Sequence, residues 1–255
     1  MLGPKIREVW NINIFTNPPT DWRDLQNKVG YIFKSLGYEV FIEKNIQTVR
    51  GTVNVDVFAK DEESVPSSVL ICECKHWNYK VPKSVVHSFR TVITDFGANF
   101  GYIISKSGYQ EGAFQAAENS NIKLLTWDEF LSLFEKEWLE AMMVNLHNEG
   151  LPLREYTDLL SEQYIKQVSH EKKERFNARC KELSNIALYT SKLLYEPPKG
   201  INFKDHIDRV IHSFKNNHHL EDIRSYSDFF EYMISFSRKT IEDLESEFNL
   251  VLQYN

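Results

Sequence analysis

This 255-residue sequence is short of several features, and each shortage removes a class of protein. No apolar run approaches the ~18 residues of a membrane span, and the opening Met1-Leu2-Gly3-Pro4-Lys5 carries no signal-peptide stretch. A cytoplasmic protein with no membrane partner is therefore expected. Three cysteines (Cys72, Cys74, Cys180) are too few for a disulfide framework, and two of them stand one residue apart. Gly101 and Gly108 lack the spacing of a phosphate-cradling loop, and no repeat or low-complexity tract is present. Basic residues are not in excess: 30 Lys+Arg against 36 Asp+Glu leave a charge of −6, divided as −3 on each side of Leu146. That balance argues against a protein that coats nucleic acid through bulk charge, though a local basic groove remains open.

What is present is ordinary globular material, 42% hydrophobic and 13% aromatic, enough for one large core or two modest ones. After an irregular or single-strand lead (Val9 to Phe15), Pro18-Pro19-Thr20-Asp21 opens a helix whose Trp22, Leu25, Val29, Ile32, Phe33 and Leu36 share a face, with Gly37 as its stop. Three extended segments follow: Tyr38–Ile42, Val53–Ala59 and Val69–Lys75. Pro82 starts a helix striped by Val85, Val86, Phe89, Val92, Ile93 and Phe96. A strand at Tyr102–Ile104, a helix after Ser107-Gly108, a strand at Ile122–Leu125 and a capping box at Thr126–Glu129, opening a helix to about Leu146, complete the pattern. This order predicts an α/β unit over residues 1–148, with a mixed central sheet flanked by helices. Residues 149–255 predict an all-α domain of four or five helices, at about Arg154–Ser169, Glu171–Tyr195, Phe203–Lys215 and from Ser227 onward. Breaks are expected at Asn148–Pro152, Glu196–Gly200 and Asn216–His219.

Chemistry concentrates between Asp56 and Lys75. Alternation along a strand puts Glu73 and Lys75 on one face and Cys72 and Cys74 on the other. If the flanking strands pair antiparallel, Asp56 converges on Glu73. Two such carboxylates raise each other's pKa and attract a cation, and oxygen donors select a hard ion such as Mg²⁺ or Mn²⁺. With the Cys74 backbone carbonyl as a third donor, positions stay open for a phosphate oxygen and a water that Lys75 could orient. Such a set suits metal-assisted phosphodiester hydrolysis.

Asp56 followed by Glu73-Cys74-Lys75, in a helix-strand-strand-strand-helix-strand order, resembles the PD-(D/E)xK nuclease superfamily. Leu36-Gly37-Tyr38-Glu39-Val40, Asn54-Val55-Asp56-Val57, Cys74-Lys75-His76-Trp77 and Ile104-Ser105-Lys106-Ser107-Gly108-Tyr109 look like the catalytic domain of Mrr-like restriction endonucleases. The resemblance covers about Asp21 to Leu131. It implies a restriction-endonuclease-like core, Asp56 and Glu73 as metal ligands, Lys75 as catalytic lysine, and a role in restriction and antiviral defence against foreign or modified DNA. Many relatives carry a glutamate on the inward face of the first helix; Gln26 stands there instead, and Val55 replaces the proline of the motif.

Several features admit two readings. An Asp…Glu-x-Lys pattern alone also describes a surface salt-bridge ladder. Cys72, Cys74 and His76 share a strand face, but zinc sites favour paired ligands on turns, so buried structural cysteines are expected. The acid-free window from Cys74 to Thr94 holds Lys75, Lys80, Lys83 and Arg90, with His76 and His87; it is either a solvated helix face or a DNA-binding edge, with Lys80, Lys83, Arg90 and His76 as contacts. Trp77 and Tyr79 either stack on a base or pack the loop. Phe229, Phe230, Ile234, Phe236, Leu244 and Phe248 read as core or as a homodimer surface. The sequence thus points to a Mg²⁺- or Mn²⁺-dependent endodeoxyribonuclease acting through Asp56, Glu73, Lys75 and Gln26. A catalytically impaired DNA-binding or protein-interaction module on the same fold is the second reading, and a junction-resolving or repair nuclease the third. The helical half would serve recognition, regulation or oligomerisation.

Overall fold

The computed structural model describes residues 12–63, 65–158, 163–218 and 220–251. The chain divides into two compact units: Asn17–Ala141, and Met142–Asn255 together with the described residues 12–16 of the lead.

In the first unit Asp21 caps helix α1 (Trp22–Ser35) by accepting from the Asp24 amide at 2.8 Å, and Gly37, at a φ of +92°, turns the chain away from it. Strand β2 (Gly51–Asp61) pairs antiparallel with both β1 (Glu39–Thr48) and β3 (Ser68–Lys75). Helix α2 (Lys83–Phe96) then crosses to β4 (Phe100–Ser105), and helix α3 (Glu111–Ala117) to β5 (Ile122–Thr126), both strands parallel to β3. The sheet order is β1-β2-β3-β4-β5, a mixed sheet between helices, as the sequence predicts. On one face α2 buries Val86, Phe89 and Ile93 against Phe58, Ile71 and Ile103. Gly101 is required there, since a Cβ would come within 2.8 Å of Phe89 and 2.9 Å of Ile93. Elsewhere in the unit Phe33, fully buried, is ringed by Tyr38, Tyr102, Phe130 and Phe134 at centroid distances of 5.2–6.2 Å. Burial there, reinforced by nearby Cys72, pushes the Tyr102 phenol up to about 12.

Thr126 and Glu129 form the expected reciprocal cap, with the Thr126 amide donating to Glu129 at 2.7 Å and the Glu129 amide to Thr126 at 3.3 Å. The helix they open, α4 (Trp127–Thr157), does not stop near Leu146. It runs through Gly150 and Pro152, so the expected break at Asn148–Pro152 is absent. Gly150 sits at a close approach rather than a turn, because a Cβ there would collide with the buried Thr190 side chain. Gly150→Ala should therefore lower the stability of the helical unit by about 1–3 kcal/mol. Chemical denaturation measures this, and an unchanged midpoint would refute the packing.

The second unit is helical, containing the remainder of α4 with α5 (Lys173–Lys192), α6 (Phe203–His218) and α7 (Tyr226–Phe248). The separate helix expected over Arg154–Ser169 is not formed: 154–157 end α4, and the described residues 163–168 are turns and bends. Helix α6 extends through His218, with His219 outside the described residues. Ser225 and Asp228 make a capping box at the start of α7. Of the two readings of the lead, residues 12–15 follow the irregular one and form no strand, while its residues 9–11 lie outside the described residues. The lead docks on the helices: the Tyr226 and Ser227 amides donate to the carbonyls of Asn13 and Ile14 at 2.9 and 3.0 Å, and Ile14 is buried. Among the described residues no helix is long and apolar enough to cross a membrane.

Candidate active site

The site forms where β2 leaves β3. Their pairing ends at Val57 and Cys72, the chain neighbours of Asp56 and Glu73. Strict alternation also fails at this point. Val55 and Phe58, three residues apart, both enter the core on the α2 side. On β1, between partners of Val57 and Val55, Glu43 adopts a φ of +52°. The irregularity frees Asp56 to reach both neighbours. Its Oδ1 accepts from Gln26 Nε2 at 2.9 Å, and its Oδ2 accepts from the Cys74 backbone amide at 2.6 Å. Gln26 is buried on α1, on the inward face expected of it, and it contributes its amide N–H₂ to Asp56. Cys74 likewise gives Asp56 its backbone N–H.

Glu73 and Lys75 share the other side of β3 and form an ion pair, both partly buried. Burial, and then the charge of Asp56, raise the Glu73 carboxyl above its ordinary pKa; Lys75 opposes this. The Lys75 ammonium also lies 5.1 Å from the centre of the Trp77 ring, which stacks on Tyr79 at 5.0 Å. Glu73, Lys75 and Trp77 line a cavity of about 350 Å³ with Val53, Asn54 and Val55 of β2 and one face of α2.

The carboxylate oxygens of Asp56 and Glu73 each have two lone pairs, and one hydrogen bond does not exhaust them. An oxygen donor set with two adjacent, mutually repelling carboxylates fits a hard divalent ion. Among the described residues no group of three or more His, Cys, Asp and Glu is arranged to hold a metal. Asp56 and Glu73 would supply the side-chain donors to such an ion.

Cys72 and Cys74 are buried free thiols whose pKa values burial pushes well up, and His76 turns away to donate from Nε2 to the Pro19 carbonyl at 3.0 Å. Lys80 and Lys83 are exposed, the latter in the first turn of α2. Arg90 reaches the end of α3, donating to the carbonyls of Ala116 and Glu118 at 3.3 and 3.4 Å. Sequence reasoning passed over the bonds that hold the neighbouring loop. The Ser107 hydroxyl donates to the Trp77 carbonyl at 2.6 Å, and Lys106 Nζ donates to Asn78 Oδ1 at 2.9 Å. Lys106 was visible in the Ser105–Tyr109 motif but offered no signal of its contact with residue 78.

Residues 19–134 match the family model Mrr_cat, described as a restriction endonuclease. The match spans less than half of the chain. Among solved structures, a protein of unknown function, AF1548, is similar at 18% identity and a TM-score of 0.38, over 77% of this chain and 98% of that one. The DNA modification-dependent restriction endonuclease AspBHI is similar at 16% identity and a TM-score of 0.33, over 44% of this chain and 30% of its own. No curated protein matches the chain.

Proposed function

We propose that the protein is a metal-dependent endodeoxyribonuclease that hydrolyses DNA phosphodiester bonds in restriction of foreign or modified DNA. The observation that supports it best is Asp56, held between Gln26 and the Cys74 amide next to the Glu73–Lys75 pair, within a segment matching a restriction-endonuclease family. Asp56 and Glu73 would hold Mg²⁺ or Mn²⁺, together with the Cys74 carbonyl. Such an ion supplies Lewis acidity toward a phosphate oxygen and lowers the pKa of water.

The chain's own groups do the rest. Gln26 and the Cys74 amide fix the Asp56 carboxylate, so that it need not reorganise when substrate arrives. Lys75, released from Glu73, directs its ammonium at the water or at the charge growing on phosphorus. The Trp77 ring lies 5.1 Å from that ammonium and favours its charge. Lys80 and Lys83, with the acid-free window around them, would meet the phosphate backbone, while Arg90 and His76 start from backbone carbonyls they would have to leave. The helical unit would then recognise DNA, pair two copies or restrain cleavage from the cytoplasmic enzyme's own genome.

The test is incubation of methylated and unmethylated closed plasmid, linear duplex, branched junction and single strand with Mg²⁺ or Mn²⁺. Nicking or linearisation of a closed circle is expected. Cleavage confined to the junction would instead assign a resolving or repair nuclease. Intact DNA throughout, with no heat on titration of Mn²⁺, would overturn the reading in favour of a non-catalytic module.

A further inference from the structure

The charge at the site limits how many divalent ions it can hold. Asp56 and Glu73 bring two negative charges, and Lys75, paired with Glu73, brings one positive charge. All three residues are partly buried, so water screens an excess of either sign poorly. One divalent ion balances the two carboxylates. A second would add uncompensated positive charge beside the Lys75 ammonium. Two ions acting on one phosphate sit about 3.5–4 Å apart, so the second needs an anionic donor of its own next to the carboxylate they share.

Gln26 stands where such a donor would have to be. Among the described residues it is the one side chain that bonds Asp56, reaching Oδ1 at 2.9 Å from α1, and it is only 3% exposed. A carboxylate oxygen can only accept, so the Gln26 atom turned toward it is the amide nitrogen, whose N–H groups carry partial positive charge. To offer its carbonyl to an ion at that oxygen, Gln26 would have to turn its amide over and give up Asp56. The Cys74 amide meets the other oxygen, Oδ2, at 2.6 Å, so Asp56 is bounded by N–H donors on both sides. We propose that Gln26 makes this a one-ion site, its amide keeping a second divalent cation away from Asp56, and that Gln26→Glu would admit one. This rests on the nuclease reading for the first ion.

The experiment counts Mn²⁺ on the full-length protein by calorimetric titration and, independently, by electron paramagnetic resonance, in which two Mn²⁺ ions this close couple their spins and a single ion does not. The wild type should bind one Mn²⁺, lost in Asp56→Ala, and give an uncoupled spectrum. Gln26→Glu, its fold checked by circular dichroism, should bind two and give a coupled one. In the wild type the rate of plasmid nicking should rise hyperbolically with Mg²⁺, without a sigmoidal onset. Two ions or a coupled spectrum on the wild type, or a single ion on folded Gln26→Glu, would overturn the proposal; should Gln26→Glu fail to fold, the wild-type count and spectrum decide it. If the wild type binds no Mn²⁺ and leaves plasmid intact, the nuclease reading fails and the one-ion site with it. If the wild type cuts with two ions bound, the one-ion site alone fails.

Discussion

Lys75→Ala should reduce Mg²⁺-dependent cleavage about 10²- to 10³-fold while leaving the protein folded. That is the scale on which removal of one preorganised group stabilising transition-state charge acts in enzymes. The variant removes the ammonium that faces Glu73 and Trp77 in the cavity, and it removes little packing because Lys75 lies at the end of β3. Glu73 then loses the partner that opposes its raised pKa, so it takes up a proton more readily and stability falls by about 1 kcal/mol or less. Lys75→Arg should rescue poorly, because a planar fork does not place charge as a compact ammonium does. Initial rates of plasmid nicking, read beside thermal denaturation, check both halves. A Lys75→Ala protein that cleaves within threefold of wild type would show that this lysine takes no part.

Phe33→Ala should cost about 3–5 kcal/mol of stability. Phe33 is fully buried and touches four aromatic rings contributed by the β1 entry, β4 and α4. Those rings cannot all close on the void, so the loss combines the transfer of a phenyl group with a residual cavity. Phe33→Leu should lose less, about 1–2 kcal/mol, since it retains most of the volume. Urea denaturation followed by tyrosine and tryptophan fluorescence measures both. A loss under 1 kcal/mol for the alanine protein would mean that the ring cluster does not hold α1 to the unit.

How far the site could be read in advance depended on which residues carried periodic signal. The face shared by Gln26 with Val29 and Phe33 placed that amide inward, and strand alternation placed Glu73 with Lys75; the structure has both arrangements. The regular pattern from Val53 to Ala59 hid the irregularity at Asp56, because Val57, Phe58 and Ala59 are all buried and either face reads as apolar. It is this irregularity, not alternation, that brings Asp56 to Gln26 and the Cys74 amide. The second half of β1 went unread for a different reason. Glu43, Lys44, Asn45 and Gln47 are weak strand formers with Ile46 as their one apolar contact, and cross-strand amide bonds hold what propensity does not. Gly150 and Pro152 read as punctuation because a sequence does not show that Thr190 comes close enough to forbid a Cβ. The lead reads as irregular or as a single strand, and local patterning could not choose, because its partners are amides of a helix about 210 positions away.

The central claim is that Asp56 and Glu73, with a divalent ion, form a phosphodiester-cleaving site. Its most direct measurement is the rate at which closed circular plasmid is nicked by the wild-type chain and by Asp56→Ala, each in Mg²⁺ and in EDTA. The wild type in Mg²⁺ should nick, EDTA should stop it, and Asp56→Ala should be slower by at least about 10³-fold with its thermal transition retained. Equal nicking by wild type and Asp56→Ala, or nicking that persists in EDTA, would contradict the account.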